Sequence, residues 1–203
     1  MENSVFISDS ELTGYINSSY AELYDILVSK FEDYYSSTAS FSITTGNTYA
    51  LPTDFYKLRG VDFAIDANNW ISLTKFNFNE RNRLNDNRSF RRYDKRSIKY
   101  RITGDTLYIE PSDNAIGTYL LWYIPVYTPL VGLSATVNGM NGWEEYIVVD
   151  AAIKMLLKEE SSTTALEREK QALLTRIANA ASNRDPDQPE RVSTVENRND
   201  WDV

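Results

Sequence analysis

The chain contains no cysteine and no histidine. The first absence removes disulfides, thiolate metal sites and thiol nucleophiles, and the second removes imidazole acid–base chemistry. A chain without cysteine tolerates an oxidising or a reducing compartment equally well. Neither GxGxxG nor GxxxxGK[ST] occurs, so nothing marks a phosphate cradle. G-x-S-x-G is also missing, and a serine nucleophile would need a lysine base that no pattern indicates. No apolar run reaches the roughly 20 residues that span a bilayer. The opening MENSVFISDS carries two acids and lacks the apolar core of a signal peptide. These absences predict a protein that is not an enzyme, binds no cofactor and touches no membrane. They also predict that it is soluble and cytoplasmic, or packaged into a particle from the cytoplasm.

Adjacent carboxylates are present at Glu32/Asp33, Glu144/Glu145 and Glu159/Glu160. Neighbours on a helix point about 100° apart, so such pairs read as solvated faces rather than metal sites.

What is abundant is charge, and it is unevenly placed. The 203 residues carry a net charge of -8, which disfavours a nucleic-acid binder as a statement about the whole chain. Residues 75–101 nevertheless hold ten Lys/Arg against three acids, a net +7 that leaves -15 for the remainder. Arg81, Arg83, Arg88, Arg91, Arg92, Lys95 and Arg96 dominate this stretch, interleaved with Phe76, Phe78, Phe90, Tyr93 and Tyr100. That mixture suits an interface rim or a single-strand stacking surface, and also a solvated basic loop. The 14 tyrosines are a second excess. Tyr34, Tyr35, Tyr49, Tyr56, Tyr93 and Tyr127 all read as loop or element-end residues, where aromatic rings suit contact surfaces better than a core.

Periodicity organises the rest. Leu12, Ile16, Tyr20, Leu23, Leu27, Phe31 and Tyr34 advance in steps of three and four, one apolar stripe on a helix running from Ser8 to about Tyr35. Ser8 and Glu11 form a capping-box pattern at its start, and Gly14 weakens the second turn. The Ser/Thr/Gly-rich stretch 36–48 reads as a loop or a frayed edge hairpin. Alternation then marks strands at Val61–Phe63–Ile65, Ile98–Tyr100–Ile102 and Leu107–Ile109, the last two joined by the turn residues Thr103-Gly104-Asp105. Residues 118–124 are apolar on both faces and predict a strand covered on both sides. From Trp143 a helix apolar nearly all round is expected to be central, followed by a third from about Thr163 to Ala181. The expected fold is α+β: an antiparallel bundle of three main helices (1–35 and 143–181) with an inserted β-rich subdomain (36–142) and an extended C-terminal tail (182–203). In that tail Val192, Val195 and Trp201 punctuate a polar run, as anchors do in a segment that orders on a partner.

Four stretches together carry a family resemblance: LPTDFYKLRGVDF at 51–63, YRITGDTLYIEP at 100–111, TYLLWYIPVYTPL at 118–130 and WEEYIVVDAAIKMLLKEE at 143–160. In this order they resemble the head-to-tail adaptor, or connector, proteins of tailed bacteriophages, over roughly residues 9–181. The resemblance implies a virion protein of the neck, made in the host cytoplasm. It implies a homo-oligomeric ring of twelve copies beneath the portal protein, extending the DNA channel and offering tail and neck proteins a platform. It implies further that the C-terminal extension grips the portal, and it carries over no catalytic residue. The basic segment lies outside the motifs, which leaves ring interface, portal and packaged DNA open as its counterpart. Two other readings stand beside this one: another neck ring such as a tail terminator, and a nucleic-acid-binding module using 75–101.

Overall fold

The computed structural model describes residues 7–84, 97–131, 135–137 and 142–182. The chain divides into two compact units, Met1–Asn138 and Gly139–Val203.

The first unit opens with α1 (Asp9–Lys30), capped as the sequence indicates: Ser8 accepts from the Glu11 amide, and the Glu11 carboxylate takes the Ser8 N–H at 3.1 Å. The helix stops short of Tyr35. Phe31 leaves helical geometry, and the Glu32–Asp33 pair turns aside to meet Lys57 and Arg59, so the chain swings into a strand while Phe31 and Tyr35 stay buried.

Among the described residues eight strands follow: β1 (Ser37–Ile43), β2 (Thr48–Ala50), β3 (Phe55–Ala64), β4 (Trp70–Ser72), β5 (Thr74–Lys75), β6 (Lys99–Thr103), β7 (Thr106–Glu110) and β8 (Gly117–Pro125). They form two four-stranded sheets, ordered β1-β8-β3-β4 and β2-β7-β6-β5. The stretch expected as a loop or frayed hairpin is thus largely strand. β1 indeed lies on an edge, but pairs with the distant β8, because Phe41 and Ile43 alternate inward among serines. The 97–110 hairpin forms as read, with Gly104 at φ 58° in its turn.

Both sheets contribute to one core. Phe41, Ile43, Val61, Phe63, Tyr119 and Leu121 from the first cluster with Ile98, Leu107 and Ile109 from the second, each apolar side chain contributing about 1.5–3 kcal/mol by burial. Phe41 stacks on Tyr49 at 3.7 Å and on Tyr119 at 5.1 Å. β8 is not covered on both sides along its length: Tyr119, Leu121 and Tyr123 point inward, Trp122 is 40% exposed, and only near the end does Ile124 join the buried set.

The expected three-helix bundle with a β insertion does not form. α1 belongs to the unit that holds the strands, and its stripe shows why. Its tyrosines meet the β-rich chain: Tyr24 donates to the Pro125 carbonyl at 2.7 Å, Tyr20 lies edge-on to Tyr127, and Asn17 bonds Leu130 through both backbone groups. Burial, with help from Tyr20, Tyr56 and Asp25, pushes the Tyr24 hydroxyl up to about 12. Tyr20 and Tyr24 interrupt an otherwise largely aliphatic buried face, and their polar tips suit a surface that offers backbone carbonyls. Tyr35, Tyr49 and Tyr127 pack against other rings of this unit; Tyr34 and Tyr56 stay 46% exposed, and Tyr93 lies outside the described residues.

The second unit pairs α3 (Glu145–Lys158) with α4 (Thr164–Ser182) as an antiparallel hairpin. A buried carboxylate joins them: Asp150, 2% exposed, meets Lys154 at 2.7 Å on its own helix and Lys170 at 2.5 Å on the other. Burial pulls the Lys170 ammonium down, but the hydrogen bonds to Asp150 and Tyr146 outweigh it and hold the group above its ordinary range. α3 is not buried all round, since Val148 and Leu157 are 62% and 60% exposed. No helix of the described residues is long and apolar enough to cross a membrane.

Two glycines make opposite predictions. A Cβ on Gly117 would stand 2.5 Å from the fully buried Phe63 ring, whereas one on Gly14 meets nothing within 4 Å. Gly117→Ala is expected to lose about 1–3 kcal/mol by overpacking, and Gly14→Ala to gain about 0.5–1 kcal/mol of helix stability. Denaturant titration of the two variants checks both signs.

Candidate assembly interface

Three short segments place the foot of the basic stretch. β5 and β6 pair in parallel at Thr74↔Lys99 and Lys75↔Tyr100, so the chain between them leaves and re-enters the second sheet side by side. It leaves through a 3-10 turn (Phe78–Glu80), opened by the Asn77–Glu80 capping box, and then α2 (Arg81–Leu84). The Arg81 guanidinium lies 4.1 Å over the Phe78 ring and donates to the Phe78 carbonyl at 2.9 Å. Arg101, from β6, approaches the same ring at 5.3 Å and donates to the Phe76 carbonyl at 3.1 Å. Phe78 is half exposed, and both guanidiniums lie within cation–π reach of its ring. Beside it opens a cleft of about 290 Å³ lined by Phe76, Phe78, Arg81, Arg101, Tyr108 and Glu110. Lys99 and Glu80, 3.9 Å apart, flank this region.

Of the basic candidates, Arg81 is exposed and joins Arg101 at this ring, and Arg83 lies in α2. Arg88, Arg91, Arg92, Lys95 and Arg96 lie outside the described residues, as do Val192, Val195 and Trp201. Sequence reasoning did not single out Arg101 or Phe78 from the other residues of the stretch. Their shared ring is a product of the β5–β6 pairing, which no local pattern announces.

A second surface was missed altogether. On the outer side of the first sheet the Asp62 carboxylate accepts from Trp122 Nε1 and from Ser72 Oγ, both at 2.7 Å, tying β3 to its neighbours β8 and β4. Asp33, Arg59, Gly60 and Ser36 complete a shallow cleft of about 410 Å³ here. Trp70, 43% exposed, stands on β4. The available signal was the parity of β8: an aromatic at 122, out of phase with the inward Tyr119, Leu121 and Tyr123.

The motif stretches act as framework. In LPTDF the Leu51 amide donates to the Asp105 carbonyl at 2.9 Å, and the Asp54 carbonyl accepts from Val126 at 2.6 Å while its carboxylate accepts from Tyr123 at 3.1 Å. Three of the four stretches thus meet at one corner. Trp143 and Tyr146, 3% and 2% exposed, open the fourth. Among the described residues no group of acidic side chains is placed to hold a metal ion.

Exposed tryptophan and arginine–aromatic surfaces on a two-sheet scaffold are the chemistry of an assembly protein, since such side chains bury large area with few rotatable bonds. The chain belongs to a family of phage adaptor proteins: the family described as SU10 adaptor protein matches residues 1–198. A phage adaptor is a structural component of the virion that works with other head and tail proteins. Among curated proteins none matches the chain.

Removing the Asp62 carboxylate as Asp62→Ala is expected to cost about 1–2 kcal/mol, the scale of hydrogen bonds to a partly solvated charge. Trp122 emission is expected to shift as its Nε1 partner is lost. Chemical denaturation followed by fluorescence reads both, and an unchanged midpoint would show that β4 is held without this contact.

Proposed function

We propose that the protein docks as a ring beneath the phage portal, extends the DNA channel and supplies the platform on which tail or neck proteins assemble. The observation that carries this reading is the adaptor-family match, which runs past α4 to residue 198. Portal grip is assigned to the C-terminal segment through Val192, Val195 and Trp201, because an adaptor needs a long reach and this segment has aromatic and β-branched anchors in a polar run. Ring contacts, or phosphate contacts with DNA in the channel, are assigned to Arg81, Arg83, Arg88, Arg91, Arg92, Lys95 and Arg96. A twelve-copy ring closes through heterologous contacts, in which one face of a subunit meets a different face of the next. A chain split into +7 and -15 portions has the asymmetry that such contacts use. In this reading assembly takes place in the host cytoplasm and the mature protein resides in the virion neck.

Native mass of the protein alone and after mixing with the portal protein of the same phage tests the proposal. A stoichiometric ring-on-ring complex is expected; its absence across a range of salt concentrations would redirect the protein to another place in the head or tail. Two variants sharpen the assignment. Arg88→Glu/Arg91→Glu/Arg92→Glu is expected to weaken ring assembly at least tenfold while the monomer melts as before. Deleting residues 183–203 is expected to abolish portal binding without lowering the melting temperature, and a large thermal loss would show instead that the segment belongs to the fold.

A further inference from the structure

Among the described residues the two sheets end in four edge strands, and β1 is the longest. β2 and β4 span three residues each and β5 two. β1 spans seven residues in unbroken register with β8, from Ser37↔Tyr123 to Ile43↔Gly117. Among the described residues no strand pairs with its far side. Proteins ordinarily protect such an edge with lysine, proline, an inward charge or a bulge. Ser37-Thr38-Ala39-Ser40-Phe41-Ser42-Ile43 has none of these, and the surrounding stretch 34–53 contains no charged residue at all. In a chain of which one residue in four is charged, an undefended edge in a charge-free stretch points to a built contact.

The opposite edge of the same sheet shows what it contacts. β4 is also free of charge and proline, and it carries the exposed Trp70. Every neighbouring pair in this sheet is antiparallel, and there are four strands, so β1 and β4 run in opposite directions. A second copy set beside the first can therefore place its β1 along β4 and continue the antiparallel alternation without reversing. Each copy carries -8, and copies of like charge approach most easily where neither surface is charged.

We infer that neighbouring copies join through this sheet, with β1 of one copy adding to β4 of the next. The inference rests on the ring reading and deepens it by naming the surfaces. A β1-to-β4 contact is heterologous, so it repeats around a ring, whereas β1 against β1 is two-fold and ends at a dimer. Trp70 anchors the seam at the β4 side, and the backbone groups of β1 supply the hydrogen bonds.

Cross-linking reads the contact directly, because the chain has no cysteine of its own. Ser40, Leu120, Asp62 and Ser72 lie in one row across the sheet, so Ser40→Cys/Ser72→Cys places a thiol at each end of the row. Thr38→Cys/Ser72→Cys and Ser42→Cys/Ser72→Cys cover a two-residue shift of register either way. In the assembled complex with the portal, at least one pair is expected to give a covalent ladder of multimers, while Ser40→Cys alone stays monomeric. Amide hydrogens of β1 are expected to exchange at least tenfold more slowly in the complex than in the free chain. Thr38→Lys/Ser40→Lys, at two exposed positions, is expected to block assembly with the monomer still folded. If the ring forms but no pair cross-links and β1 exchanges as in the free chain, the contact is refuted and the ring reading survives. Dimers from Ser40→Cys alone would overturn it in favour of β1 against β1. Protection of β1 by the portal in a complex holding a single copy would overturn it in favour of a portal strand. If the wild-type chain forms no multi-copy complex, the ring reading fails and takes the contact with it.

Discussion

The corner at Leu51-Pro52-Thr53-Asp54 is the constraint on which the first unit depends. Leu51 bonds the turn of the β6–β7 hairpin, and Asp54 bonds both the end of β8 and the Tyr123 hydroxyl, so two sheets that share no strand are held at one point. Burial of the Tyr123 ring, followed by its bond to Asp54, raises the hydroxyl above its ordinary range and keeps it a donor. From that point the shared core can close: Tyr119 of β8 lies between Phe41 and Phe63, and Gly117 leaves room for the Phe63 ring. Close packing leaves no slack for a side chain at 117, which is why one methyl group there matters.

Charge is organised around this frame. In the first unit Glu32 and Asp33 take up Lys57 and Arg59 where α1 gives way to β1, and Asp62 is spent on Trp122 and Ser72. The second unit has its own balance in Asp150 between two lysines. The partly exposed pairs of the first unit contribute little each, but they leave particular surfaces without charge and others with an excess. Arg81 and Arg101 at Phe78 belong to the excess. β1 and β4 belong to the uncharged surface. For a phage adaptor, whose work is contact with other proteins, that segregation is the useful product of the fold.

Several elements were legible from residues alone. Ser8 and Glu11 announced the start of α1, Gly104-Asp105 the β6–β7 turn, and Thr163 the start of α4, because caps and turns are set by hydrogen bonds a few residues long. The family was legible for a related reason: its motifs are corner and strand-end residues whose spacing is dictated by the frame. β1 was not legible as a strand, since Ser and Thr dominate it and its partner lies 74 to 86 residues away. Tyr35, Tyr49 and Tyr127 read as surface rings because nothing local shows what packs on them.

The sequence by itself determined the lack of cysteine and histidine, the separation of charge along the chain, the three longer helices, the cap at Ser8 and the membership of an adaptor family. Only the tertiary structure decided that α1 joins the strands instead of a helical bundle, that Arg101 and Arg81 share one ring, and that β1 and β4 end as the two edges of one sheet. The physical reason is range. Caps, turns and periodicity act over a few residues, whereas the partner of a stripe, the neighbour of a strand and the exposure of an edge follow from contacts between segments far apart in the chain.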